Sequence, residues 1–149
     1  STRFEPYRNV TRAEFMALVV RMTGLKADRP YNGTFTDVDP EDWFYHELEV
    51  ALQHGFITGK SPTTFAPNDP VTREQAATII GRMFRNPDYS SVKAHIYRDQ
   101  NEISEYAKTH VQLLESKGIM TGYQDNTFRP QQPLSRAEAA AILYRLLNK

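Results

Sequence analysis

Three stretches of the chain repeat one pattern of polar and apolar positions: VTRAEFMALVVRM at 10–22, VTREQAATIIGRM at 71–83 and LSRAEAAAILYRL at 134–146. In each, a hydroxyl residue is followed three positions later by Glu or Gln. Thr11 with Glu14, Thr72 with Gln75 and Ser135 with Glu138 therefore read as capping boxes, in which the hydroxyl accepts from the N3 amide and the N3 side chain reaches back to the cap amide. Behind the boxes, Phe15, Leu18, Val19 and Met22, and then Ala76, Ile79, Ile80 and Met83, recur at helical spacing. The period predicts three amphipathic helices.

Two further helices are predicted upstream of the second and third boxes. Asp39-Pro40-Glu41-Asp42 offers an N-cap residue, a proline suited to the first helical position and acids that favour the positive end of the helix dipole. A helix from about Glu41 to His54 follows, with Trp43, Leu48, Ala51 and Leu52 on its apolar face and Gly55 as the left-handed stop. Ser104 to Lys117, ended by Gly118, repeats the plan. The connections GKSPTTFAPNDP and GYQDNTFRPQQP are bounded by Gly and Pro and read as shaped loops, each pinned to the core by its one Phe, Phe65 or Phe128.

The periodicity is internal repetition. Thr11 and Thr72 are 61 residues apart, and Thr72 and Ser135 are 63 apart. At these offsets Phe4, Phe65 and Phe128 align, as do Pro6, Pro67 and Pro130, and Arg21, Arg82 and Arg145. The upstream half of the unit occurs twice, from Phe35 and from Tyr97, with Trp43 aligned to Tyr106, Gly55 to Gly118 and Gly59 to Gly122. The chain thus divides into the second half of a repeat at 1–26, whole repeats at 34–86 and 96–149, and linkers at 27–33 and 87–95.

Composition narrows the function classes. A hydrophobic fraction of 40% with 11% aromatics is enough for a core in 149 residues. Eighteen basic residues balance eighteen acidic ones, so the broad positive field of a general nucleic-acid binder is absent. No cysteine is present, which excludes disulfide scaffolds and thiolate chemistry. The longest apolar run, FMALVV, is far short of the roughly 18 to 20 residues of a membrane span. Ser1 follows no leader-like segment, which predicts a processed product or a piece of a longer chain, and the closing LLNK predicts that the repeats end the parent chain.

Capping accounts for the hydroxyl and acid of each box but not for Arg12, Arg73 and Arg136. At the first helical position a cation meets the positive dipole end, unfavourable by about 0.3 to 1 kcal/mol. One reading pairs each arginine with a carboxylate such as Asp37 or Asp99. The favoured reading is an anion site, where helix N–H groups, the dipole and a guanidinium fork converge on a carboxylate or phosphate. A glycosidase pair among Asp37, Asp39, Glu41, Asp42 and Glu47 is disfavoured, because helix-start chemistry explains these acids and the next repeat lacks the cluster. His46, His54, His95 and His110 fall at non-equivalent positions, and Asp37-Val38-Asp39 lacks the later ligands of a calcium loop. Neither metal nor cofactor is expected.

The unit spelled by Phe35, Asp37, Val38, Trp43, Ala51, Gly55, Ile57, Gly59, Phe65, Pro67, Val71, Thr72, Arg73 and Ala76 resembles the S-layer homology repeat, over nearly the whole chain. The later copy departs at Tyr97, Gln100 and Tyr106. The resemblance implies a mainly all-α fold of helix–loop–helix repeats with pseudo-threefold symmetry around a central helical bundle and no substantial sheet. It implies a non-enzymatic, extracellular module of the bacterial cell wall and S-layer, whose inter-repeat grooves bind secondary cell-wall polysaccharide attached to peptidoglycan, typically with a pyruvate ketal on N-acetylmannosamine. Arg12 would then face Trp43 and Arg73 would face Tyr106, with Gly59, Gly122 and Arg136 completing the carbohydrate-binding set. Arg136 would meet a half-repeat that the chain lacks, leaving apolar surface through which copies could associate. The alternative is a helical protein–protein scaffold of a surface assembly. No nucleic acid or membrane partner is expected.

Overall fold

The structure, a computed structural model, describes residues 4–31, 33–90 and 92–148. Ser1 and Lys149, the outer bounds of the sequence repeats, lie outside the described residues. The helices are α1 (Arg12–Thr23), α2 (Tyr45–Gln53), α3 (Arg73–Gly81), α4 (Lys108–Ser116) and α5 (Arg136–Leu147), with 3₁₀ turns at Gln100–Glu102 and Glu105–Ala107. Among the described residues there is no strand, only isolated bridges such as Ser61 with Thr64. The all-α expectation holds.

The chain forms two compact units, Thr11–Pro70 and a second made of residues 4–10 and 71–148. These units run out of phase with the sequence repeat. Each puts a box helix together with the upstream half of the following repeat: α1 packs on α2 in one, α3 on α4 in the other. The half-repeats on either side of each candidate groove therefore belong to one unit.

In the first unit Phe35 stacks on Phe65 at 5.7 Å and Phe44 lies 5.9 Å from the same ring. Phe15, Met16, Leu48 and Phe65 are fully buried. Asp28, Arg29 and Tyr31 of the linker are tied to α2: Gln53 Oε1 accepts from the Asp28 and Arg29 amides, and Glu49 from the Tyr31 amide at 2.9 Å. In the second unit, Ile80, Leu113, Leu114, Ile119, Phe128 and Leu134 are the fully buried counterparts. There Val10, Val71 and Leu134 form a closed ring, the amide of Val10 donating to Leu134, that of Leu134 to Val71 and that of Val71 to Val10, each at 2.9 Å.

Several sequence expectations need correction. The predicted helix from Glu41 begins only at Tyr45, because the acids that were to cap it close a turn instead. The Asp39 amide donates to Asp42 Oδ2 and the Glu41 amide to Asp39 Oδ1, both at 2.8 Å. Trp43 therefore sits in the turn, exposed, and Phe44 takes the inward place. Likewise Ser104 caps nothing, and the predicted Ser104–Lys117 helix becomes a 3₁₀ turn and then α4. On α1, Leu18 is exposed, whereas Ala13, Met16, Ala17 and Val20 join Phe15 and Val19 inside. Met83 lies beyond the end of α3. Gly24, Gly55 and Gly118 do adopt positive φ at helix ends.

The third box is half formed. Ser135 Oγ accepts from the Glu138 amide at 3.1 Å, but the Glu138 carboxylate is drawn away by the Arg73 guanidinium and the Tyr123 hydroxyl. Thr11–Glu14 and Thr72–Gln75 close both ways. Along α5, Ala137, Ala140, Tyr144 and Leu147 are exposed at helical spacing.

Candidate functional site

Arg12 and Arg73 are held by backbone. Each is only 4% exposed. Arg12 Nε donates to the Phe65 carbonyl at 3.0 Å and Nη2 to the Thr58 carbonyl at 3.3 Å. Arg73 repeats this with Phe128 and Thr121, both at 2.8 Å, and adds a 2.8 Å ion pair from Nη1 to Glu138. Its guanidinium also lies over the rings of Tyr123 and Phe128, at 4.6 and 4.8 Å. The carbonyls offset the unfavourable dipole position and fix the loop that follows α2 or α4.

Asp37 and Asp99, considered from sequence as partners of the arginines, both hold backbone, and the carboxylate that pairs with Arg73 is Glu138. Asp37 accepts from the amides of Phe65 and Ala66 at 3.0 and 2.8 Å, and Asp99 from those of Phe128 and Arg129 at 2.9 and 2.8 Å. Arginine and aspartate thus grip the same phenylalanine, one at its carbonyl and one at its amide. Burial raises the Asp37 pKa, but the two amides, its own backbone amide and the Arg12 charge outweigh this and hold the carboxyl below its usual value. Ala66 and Arg129, next in sequence, take left-handed conformations with φ of 59° and 58°.

The helix amides required by the anion reading are occupied. Arg12 and Ala13 donate to the carbonyls of Asp69 and Pro67, Arg73 and Glu74 to those of Gln132 and Pro130, and Arg136 and Ala137 to those of Arg8 and Pro6. The third amide of each helix goes to its capping hydroxyl. An anion near these helices must use side chains, since the backbone is already satisfied. Arg136 is less buried than its two counterparts and lies 5.2 Å from the Phe4 ring.

Gly59 and Gly122 are positions of close approach. A Cβ on Gly59 would meet the Phe35 ring and the Ser61 and Thr64 carbonyls at 2.5 and 2.6 Å, and one on Gly122 would meet the Tyr97 ring and the Thr127 carbonyl at 2.7 Å. They let the aromatic at the start of each repeat lie flat against the loop. An open cleft of about 530 Å³ in the first unit is lined by Asp37, Lys60, Asn68 and Asp69 among others, with Lys60 and Asp69 paired at 2.8 Å.

Trp43 and Tyr106 are the outward groups. They stand at equivalent positions, 58% and 50% exposed, while the residues after them, Phe44 and Ala107, are buried. Arg21 lies 5.9 Å from the Trp43 ring and donates to Glu47 at 3.2 Å. The aligned pair in the second unit is Arg82 and His110, and it forms no salt bridge among the described residues. Burial, reinforced by the Arg82 charge, lowers the His110 pKa.

Sequence reasoning missed Glu74, the residue after the second arginine. It is 2% exposed, and its carboxylate accepts from the Ser104 amide at 2.8 Å, Ser104 Oγ at 2.7 Å, the Tyr106 hydroxyl at 3.1 Å and Gln131 Nε2 at 3.4 Å. The available signal was the repeat itself: the aligned residues are Ala13 and Ala137.

Residues 34–77 and 96–140 match the S-layer homology domain. The chain belongs to that family. Membership makes it an extracellular module of the cell surface. It is 38% identical over 99% of its length to the exoglucanase XynX of Acetivibrio thermocellus, but spans 14% of that protein. It is 26% identical over 97% of its length to the surface-layer 125 kDa protein of Lysinibacillus sphaericus, spanning 12% of it. A cellulosome-anchoring protein of Acetivibrio thermocellus is 27% identical over 98% of the chain, which spans 34% of that relative.

Proposed function

We propose that this S-layer homology module anchors its parent protein non-covalently to the bacterial cell wall by binding an acidic secondary cell-wall polysaccharide, with a pyruvylated N-acetylmannosamine unit as the recognised sugar. The observation that carries this reading is the repeated exposed aromatic, Trp43 and Tyr106, each in a unit whose buried arginine, Arg12 or Arg73, fixes the adjoining loop. A flat ring offers apolar area to a sugar face at little entropic cost, and its polar edge remains hydrated. The arginines supply positive charge close to the groove while bracing its wall. Gly59 and Gly122 set the wall's shape, and Arg136 marks a third groove.

The exoglucanase relative shares only 14% of its length with the chain, so its activity does not transfer. Anchoring calls for slow release rather than turnover, and several units of a repetitive polymer raise retention through effective concentration. The test is calorimetric titration with a synthetic pyruvylated N-acetylmannosamine unit beside the unpyruvylated sugar. Trp43→Ala and Tyr106→Ala are the informative variants, because these exposed rings can be removed without opening the core. Pyruvate-dependent binding weakened by Trp43→Ala supports the anchor. A folded chain that ignores both sugars sinks it and favours the protein–protein scaffold, for which exposed Trp and Tyr are also suited.

A further inference from the structure

The arginines that close the box helices, aligned at Arg21, Arg82 and Arg145, differ in what they meet. In the first unit Arg21 has a counter-ion on the facing helix, Glu47 at 3.2 Å. The aligned residue of the second unit is His110, whose pKa is lowered by burial and then by the Arg82 charge, so its ring is neutral at pH 7. Arg82 itself is half-buried at the end of α3, and among the described residues its side chain makes no hydrogen bond, ion pair or ring contact. A guanidinium with five donors has thus lost part of its water without gaining a protein acceptor, a condition that a bound anion relieves.

Its surroundings fit one. α3 packs on the 3₁₀ turn Glu105–Ala107, which carries the exposed Tyr106, and the Arg82 charge acts on Tyr106 as well as on His110. The other cation of this unit's box, Arg73, is taken up by Phe128, Thr121 and Glu138. Nearby acids are engaged too. Glu105 pairs with Lys108 at 2.6 Å, and Glu74 accepts from Ser104, Tyr106 and Gln131. Glu74 belongs to the opposite end of α3 from Arg82, roughly 12 Å away along the axis at a rise of about 1.5 Å per residue. We infer that Arg82 is the residue of the α3–α4 unit that recognises an acidic sugar, its guanidinium taking the carboxylate as a fork while the sugar ring lies on Tyr106. This rests on the wall-glycan reading and names the contact through which that unit would require the acid.

Calorimetric titration of the chain carrying Trp43→Ala, with the pyruvylated and the unpyruvylated N-acetylmannosamine unit, reads the Tyr106 side. Adding Arg82→Gln should weaken the pyruvylated sugar by about tenfold or more, the worth of one charge-assisted contact, and the unpyruvylated sugar far less. A purely structural role would not split the two. Arg82→Lys should recover only part, since an ammonium forms no planar fork. His110→Glu, which installs the counter-ion of the first unit, should weaken the pyruvylated sugar although Arg82 is intact, whereas His110→Gln should change it little. Far-UV circular dichroism with thermal melting establishes that each variant is folded. A folded Arg82→Gln that keeps full affinity for the pyruvylated sugar, or loses both sugars equally, would overturn the inference while the anchor reading stands. So would loss of all binding in a folded Trp43→Ala chain, which would confine the sugar to the first unit. No binding of either sugar by wild type would remove both readings.

Discussion

Arg73 stands where a helix least favours a cation, and its stability comes from what it reaches rather than from where it starts. Three of its N–H groups go to Phe128, Thr121 and Glu138. Replacing it by Ala strands two carbonyls and a partly buried carboxylate, so Arg73→Ala should lower unfolding free energy by about 2–3 kcal/mol, read from urea denaturation. Lys should recover little, because one ammonium cannot reproduce a planar fork. An arginine variant that loses glycan binding must accordingly be checked for folding before the loss is assigned to contact. His110 adds a pH dependence with a definite sign. Its folded pKa is lowered by burial and then by Arg82, so the unfolded chain binds the extra proton first. The stabilisation is complete above the unfolded value of about 6.5 and declines as pH falls through the folded value. Denaturation midpoints collected from pH 8 to 5 should fall on the acid side in wild type and less steeply in His110→Gln. Asp37, held below its ordinary value, adds a further loss only under stronger acid.

At the scale of elements, α3 and α4 approach through Gly81, where an added Cβ would meet His110 Nδ1 and lie 2.8 Å from its Cβ and Cγ. His110 is anchored by its own helix and cannot retreat. Gly81→Ala should cost about 1–3 kcal/mol as overpacking despite the better helix propensity of alanine, and differential scanning calorimetry would detect the lower midpoint. The boxes themselves were legible because their chemistry is local: Thr11 needs only Glu14, and Thr72 only Gln75. The third failed to close because Glu138 answers to Arg73, 65 residues away, a contact that spacing within one helix cannot reveal. The early helix starts misled for a related reason. Asp39 and Asp42 are good caps, yet they satisfy each other across a turn, and this turn puts Trp43 outside. Glu74 was visible as a departure from Ala13 and Ala137, but its meaning depended on Ser104 and Tyr106 arriving beside it. Repetition thus disclosed the family and the aromatic positions, whereas the partners of each buried charge required the fold.

At the scale of the whole chain, repetition has produced two units that share a plan but differ in chemistry. One difference lies at a buried position: Ala13 in the first unit and Glu74 in the second, where the carboxylate accepts from the Ser104 amide, the Ser104 hydroxyl and the Tyr106 hydroxyl. Glu74→Ala restores the residue of the other two boxes but strands these donors, so it should lower the unfolding free energy by about 1–3 kcal/mol, read from urea denaturation. Glu74→Gln keeps an acceptor for Ser104 and should lose less. Equal midpoints for Glu74→Ala and wild type would mean that water replaces the carboxylate without cost.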